Sequence, residues 1–293
     1  MTAFAPSDAP RRTRSFWWRV LMQPAGAIAC AIIVLLLAAA GLADLLAPHD
    51  PTRMAAGRPL TPPSLAYPMG TDELGRDVLS RIMYGARLTL RIGAIAVGIS
   101  LVLGLTVGLL AAYLRGWLEA LLMRSVDVLF SFTETLIALA FVAVLGPSLT
   151  NAMIAVGVAG IPFYARTAYA SALSERSKPW FEGAVAAGAG PGRLLFLHLL
   201  PNVMPTMIVV ATLGLSNAIL AAAALSFLGL GAQPPQPEWG FMLSAGRDFF
   251  SRAPWLMLFP GLAIALTVLA FNLAGDALRE AMDPRSLLRE DAR

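Results

Sequence analysis

Ionisable side chains are scarce within the apolar stretches of this 293-residue chain, so those that occur there are the first candidates for chemistry. Asp127 and Glu134 share one such stretch, seven residues apart, a spacing that sets both on one face of a continuous helix. A carboxylate inside hydrocarbon is costly and by default marks a solute or ion pathway. Arg124, about one turn before Asp127, is placed to pair with it at the membrane interface. Glu134 lies deeper and has no such neighbour. It is the candidate for the translocation path, with a carboxylate suited to a solute's amino group.

Covalent and metal chemistry find no comparable set. Cys30 is the single cysteine, and His49 and His198 are the two histidines. A zinc site needs more ligands than these, and one thiol makes no internal disulfide. An intramembrane enzyme needs a paired nucleophile and base, or a metal cluster. No catalytic residue and no metal ligand is expected. The stretch Gly70–Thr71–Asp72–Glu73–Leu74–Gly75 has the glycine spacing of a phosphate loop. Arg76 and Asp77 follow it instead of a lysine and a hydroxyl residue, and an aspartate repels phosphate. No nucleotide or other cofactor is therefore expected in this chain.

The elements that must position these residues are apolar runs. Hydrophobic residues make up 57% of the chain and charged ones 14%, against about 25% charged in soluble domains. The mean hydropathy is +0.69. Six runs approach the roughly 20 residues a helix needs to cross hydrocarbon: Ala25–Ala47, Leu88–Tyr113, Val126–Leu145, Ala152–Ala168, Val203–Leu230 and Trp255–Gly275. The short alternating segments of a β-barrel are missing from this pattern. The expected fold is an all-α integral membrane protein with about six transmembrane helices. The first run is longer than the core of a signal peptide, so it reads as a retained helix. Residues 1–24 then form a cytoplasmic tail, and 25–293 form one membrane domain.

Charge gives the orientation. Arg11, Arg12, Arg14 and Arg19 precede the first run and favour a cytoplasmic N-terminus. Six crossings return the C-terminus to the same side. The loop between the first two runs blurs this, because it holds Arg53, Arg58, Arg76, Arg81 and Arg87. That loop and Ala232–Trp239 are rich in proline and read as shaped, non-helical connections. The net charge of +4 lies at chain ends and between apolar runs, which suits lipid headgroups and not nucleic acid.

The most informative connection is Trp180–Asn202, WFEGAVAAGAGPGRLLFLHLLPN. A short helix carries Glu182 near its start, where a helix dipole favours an acid. Gly188, Gly190, Pro191 and Gly192 break it, and Arg193–Leu200 starts a second helix that Pro201 is expected to close. Gly183, Ala184, Ala186 and Ala187 leave a surface almost without side chains, on which another backbone can come close. An ordinary interhelical loop is the plainer reading. Gly104 and Gly108 form a second small-residue surface, inside the second run.

The Trp180–Asn202 segment resembles the EAA loop of ABC-transporter importer permeases, the cytoplasmic element that docks in a cleft of the ATPase subunit. Glu182, Gly188, His198, Pro201 and Asn202 fall where the family pattern has them. Gly183 stands at the second position of the acid–Ala–Ala core, followed by Ala184, and Tyr169 stands where the family often has a second arginine after Arg166. That last departure would weaken an ion pair on the inner side. Relatives usually carry proline at the position of Thr133 and a small or apolar residue at that of Glu134. YPMGTDELGRDVLSRIMYGARLTL (67–90), LSFLGLGAQPPQPEWG (225–240) and PGLAIALTVLAFNLAGDALREAMDPR (260–285) narrow the resemblance to the C-type permease of the dipeptide/oligopeptide/nickel subfamily.

The resemblance implies a permease subunit of an ATP-driven importer in the bacterial inner membrane, with dipeptides or oligopeptides as cargo. It implies a second homologous permease, two ATP-binding subunits that hold ATP and magnesium, and an extracytoplasmic substrate-binding protein. The docking loop would run from about 169 to 202, with Glu182, Gly183, Ala184, Gly188, Pro201 and Asn202 as its key residues. The alternative is a secondary transporter driven by an ion gradient, a class that often shows inverted repeats. No convincing internal repeat is visible here.

Overall fold

A segment crossing hydrocarbon has to satisfy its backbone polar groups internally, and the α-helix does so. In the computed structural model, which describes residues 20–282, the apolar runs are helices. They are α1 (Pro24–Gly41), the single turn α2 (Ala43–Leu46), α3 (Val78–Leu114), α4 (Trp117–Phe130), α5 (Glu134–Leu145) and α6 (Leu149–Arg176). After these come α7 (Pro179–Ala186), a π-wound stretch Arg193–Leu199 that continues into α8 (Leu200–Phe227), the short α9 (Trp239–Gly246) and α10 (Trp255–Met282). Among the described residues the only β-type pairing is an isolated bridge between Thr71 and Asp77.

Four of these units are long and apolar enough to cross a membrane: α1, α3, the π stretch with α8, and α10. The expected continuous span Val126–Leu145 is broken. α4 and α5 are bent by 89° around Ser131–Thr133, and only together do they qualify as a fifth crossing. α6 has 28 residues, enough length for a span, but Asn151, Pro162 and Arg166 dilute its apolar run. The first run also ends earlier than expected, at Gly41, where Leu42 leaves helical geometry. Pro201 does not close a helix. It lies at the junction where the π-wound stretch passes into α8, and the chain stays helical on both sides of it.

The bundle closes around the seam between α3 and α6. α3 has 37 residues and is about 55 Å long at 1.5 Å per residue, longer than hydrocarbon is thick. A side chain added at Gly104 would meet the backbone nitrogen of Ala165 at 2.9 Å, and one at Gly108 would meet that of Tyr169 at 2.8 Å. Small residues let the two backbones touch there. Ser100 fastens the same seam by donating to the Gly157 carbonyl at 2.6 Å. Ala96, Val156, Ala159 and Ala168 bury along it, with Leu199, Val203 and Met207 of the α8 unit behind. α1 leans on α10 and α3 at the edge.

At the N-terminal end of α3 the connection 47–77 is compact. Asp77 caps the helix, accepting from the Ser80 N–H at 3.0 Å and from its hydroxyl at 2.6 Å. Asp72 is buried and accepts from Arg76 Nε at 2.5 Å, with Arg81 Nε at 3.6 Å. Arg81 also donates to the Pro51 carbonyl at 3.1 Å. Asp72 and Arg76 thus fill the Gly70–Gly75 loop themselves.

Candidate functional site

Two places in the bundle hold the residues singled out from sequence. The first is the hairpin of α7 and the π stretch. Pro179 opens α7 and Glu182 sits in its first turn. Arg176 anchors the hairpin to the bundle: it donates to the carbonyls of Ala112 and Tyr113 at the end of α3 and lies 5.5 Å from the Phe181 ring centroid. α7 ends because Gly188 takes φ +78°, a conformation a side chain resists. The Gly188 N–H then reaches the Val185 carbonyl at 3.0 Å and the Ala189 N–H that of Ala184 at 3.1 Å, the bond pair that closes helices at a left-handed residue.

Glu182, Gly183, Gly188, Pro201 and Asn202 are exposed, while Ala184 is half-buried against the core. A side chain built at Gly183, Gly190 or Gly192 would find nothing within 4 Å. Nothing within the described residues requires those positions to be glycine. Val185, Phe196 and Leu197 are exposed on the same hairpin. Its two arms meet where the Trp180 and His198 rings come within 6.1 Å, and Asn202 Nδ2 donates to the His198 carbonyl at 2.7 Å. Tyr169, in place of an arginine, donates its hydroxyl to the Glu119 carboxylate of α4, so the contact on that side is made by a hydrogen bond.

The second place is the break between α4 and α5. Because the helix is interrupted at 131–133, Asp127 and Glu134 do not share a helical face. Asp127 pairs with Arg166 of α6, not with Arg124, and the Arg166 guanidinium also lies 5.1 Å from the centre of the Phe130 ring. A tertiary partner one helix away has displaced the local one. Glu134 becomes the first residue of α5, where the free N–H groups of a helix start favour an acid. It faces a cavity of about 220 Å³ whose polar lining includes Ser100, Tyr164 and Asn217. A side chain at Gly160 would come within 3.7 Å of Glu134 Oε1, so this glycine keeps the space between Ser100 and the carboxylate open.

Comparisons with known proteins bear on both places. The model of the family described as "Binding-protein-dependent transport system inner membrane component" matches residues 104–287. A second, "N-terminal TM domain of oligopeptide transport permease C", matches residues 12–63. The chain belongs to the binding-protein-dependent permeases. It is 45% identical over 276 residues to the di/tripeptide transport system permease protein DppC of Pseudomonas aeruginosa, covering 92% of this chain and 91% of that one. It is 49% identical over 223 residues to the dipeptide permease DppC of Alkalihalophilus pseudofirmus, with 76% and 73% covered. It is 42% identical over 278 residues to the glutathione permease GsiD of Pectobacterium atrosepticum, with 93% and 91% covered. A chain of the MetNI methionine ABC transporter, solved in an inward-facing form, shares the fold at a TM-score of 0.58 and 21% identity, covering 69% of this chain and 97% of that one.

The permease is thus a multi-pass membrane component of a bacterial ABC importer, not an enzyme, and it works as one subunit of a larger transporter. This membership supports the ATP-driven reading over the ion-gradient one. Several residues around the break in this permease were beyond reach of sequence reasoning. Tyr164, Ser100 and Asn217 come from three helices and meet only in the folded bundle. Arg166 carried a signal as a charge in an apolar run, the same signal that marks Glu134.

Proposed function

We propose that this permease forms one half of a translocation path for dipeptides and short oligopeptides, with a second, homologous permease forming the other half. The names of its relatives, which specify dipeptides, di/tripeptides and glutathione, support that cargo. The segment 169–202, with Glu182, Gly183, Ala184, Gly188, Pro201 and Asn202, docks in a cleft of an ATP-binding subunit on the cytoplasmic side. Two such subunits hold ATP and magnesium, and a substrate-binding protein delivers peptide from outside. The tail 1–24 and the C-terminus lie in the cytoplasm. Most of that tail falls outside the described residues.

The observation that carries this reading is the exposed hairpin whose glycines face open space. A surface without side chains that serves no packing within its own chain is suited to the close approach of another backbone. In the physical account, ATP binding closes the paired ATP-binding subunits and moves the hairpin. α7 pulls through Arg176 and Phe181 on the ends of α3 and α6, and the bundle rocks between outward- and inward-facing states. Glu134 lines the path.

The test is purification of the tagged chain in gentle detergent from its native cells, with identification of what accompanies it. A second permease of similar size and one or two ATP-binding proteins are expected. A chain that emerges alone, and stays alone with vanadate-trapped ATP, overturns the proposed assembly.

A further inference from the structure

The cavity beside the α4–α5 break holds more specific chemistry than a path needs. Glu134 has no ion-pair or hydrogen-bond partner among the described residues, although Arg166 lies on the neighbouring helix. That guanidinium is already committed to Asp127 and to the Phe130 ring. The Tyr164 side chain is 4% exposed, and its hydroxyl finds no hydrogen-bond partner among the described residues. It rests against Gly214, where any side chain would collide with it. A buried phenol without a partner is costly, and a ligand that supplies one relieves the cost. Asn217 adds an exposed amide on the same wall.

From this arrangement we propose that the cavity is a subsite for the N-terminal ammonium group of a transported peptide, bound by the Glu134 carboxylate. The Tyr164 hydroxyl and the Asn217 amide take the adjoining peptide bond. The inference rests on the peptide-permease reading and gives its path a polarity, with the amino end of the cargo at the helix break. The volume of about 220 Å³ lies below the range of roughly 300–1,000 Å³ for drug-sized ligands, which fits one end of a small peptide and not a whole oligopeptide. A bare metal cation fits poorly. One carboxylate with a phenol, a hydroxyl and an amide falls short of the roughly six to eight oxygens calcium takes, and it lacks the imidazole or thiolate donors that transition metals favour.

The test uses the complete transporter in membrane vesicles. Cys30, the single cysteine, is replaced by serine, and a reporter thiol is introduced by Phe132→Cys on the cavity wall. The probes are a trimethylammonium-ethyl and a sulfonatoethyl methanethiosulfonate, one cationic and one anionic. Labelling by the cationic reagent should exceed that by the anionic one, and Glu134→Gln should cut the ratio about tenfold, while Glu134→Asp keeps it. Equal ratios in the parent and Glu134→Gln transporters, or a position 132 that neither reagent reaches, overturn the subsite. Millimolar dialanine should slow the labelling and N-acetyl-dialanine should not. Equal protection by both, or by neither, overturns the assignment to an amino terminus. Uptake by the Cys30→Ser transporter, measured alongside, tests the importer reading separately: normal uptake with no cation preference removes the subsite alone.

Discussion

The seam between α3 and α6 and the hairpin of α7 are built from the same residue types and put them to opposite ends. At the seam, Gly104 and Gly108 are buried and face Tyr164, Ala165 and Ala168 at contact distances that leave no room for a methyl group. At the hairpin, Gly183, Gly190 and Gly192 face nothing. Glycine in a helix costs about 0.5–1 kcal/mol relative to alanine, so each glycine needs a reason. The seam supplies its reason within the chain. At the hairpin no contact among the described residues supplies one, except at Gly188, where the left-handed turn does so locally. A glycine-rich surface is therefore informative only after one asks what its missing side chains would have touched.

The comparison can be broken most sharply at the seam. Gly108→Leu pushes a side chain into Ala168 Cβ at 2.7 Å and the Tyr169 nitrogen at 2.8 Å. Overpacking of this kind costs about 1–3 kcal/mol where the neighbours can yield, and here two of the three nearest atoms, the Ala165 oxygen and the Tyr169 nitrogen, are backbone. We expect little protein in the membrane and a clearly lowered melting temperature for what remains. Normal amount and melting would mean that the helices are not locked at this seam. At the hairpin the same readouts should separate. Glu182→Ala and Gly188→Asp are expected to abolish uptake while the chain reaches the membrane in normal amount. Glu182 is exposed, so its loss should cost no more than about 0.5 kcal/mol of stability. A side chain at Gly188 adds about 1–2 kcal/mol of strain, confined to a surface turn. Wild-type uptake by both variants would remove the docking role. The smallest effect belongs to Gly183→Ala, which should leave uptake within about twofold and slightly steady α7, by up to about 1 kcal/mol. A complete loss of uptake there would show a tighter fit to the partner than a methyl group allows.

Much of the fold is legible in the sequence because hydrocarbon imposes one strong demand, about 20 apolar residues per crossing. The ends of α8 and the start of α10 fall within three residues of the apolar runs for that reason, while α10 runs on to Met282, past the expected end at Gly275. The helix break at 131–133 was not legible, since the apolar run continues on both sides of it and the polar residues around it, Ser131, Thr133, Glu134 and Thr135, are too few to mark a turn. In retrospect Glu134 was the clue, as an acid is at home in the first turn of a new helix. Pro201 misled in the other direction: the helix runs on through it, with the π-wound turns of Arg193–Leu199 immediately before it. Elsewhere Pro162, Pro205 and Pro260 sit inside helices that run on through them, as membrane helices tolerate. The hairpin's turn at Gly188 was visible locally. The Asp127–Arg166 pair and the Glu134 cavity were not, because they join residues dozens of positions apart that only the packed bundle brings together.

The connection 47–77 has a practical consequence for placing the chain in its membrane. Its base is held by Asp72, Arg76, Asp77 and Arg81, all buried. Its tip is the turn at Ser64–Tyr67, where Leu65 stands fully exposed at 105%. A short epitope inserted beside Leu65 would sit on a firm pedestal, clear of the ion pairs that hold the base. An antibody offered from one face of a sealed vesicle would then read the sidedness of the whole bundle from a single point.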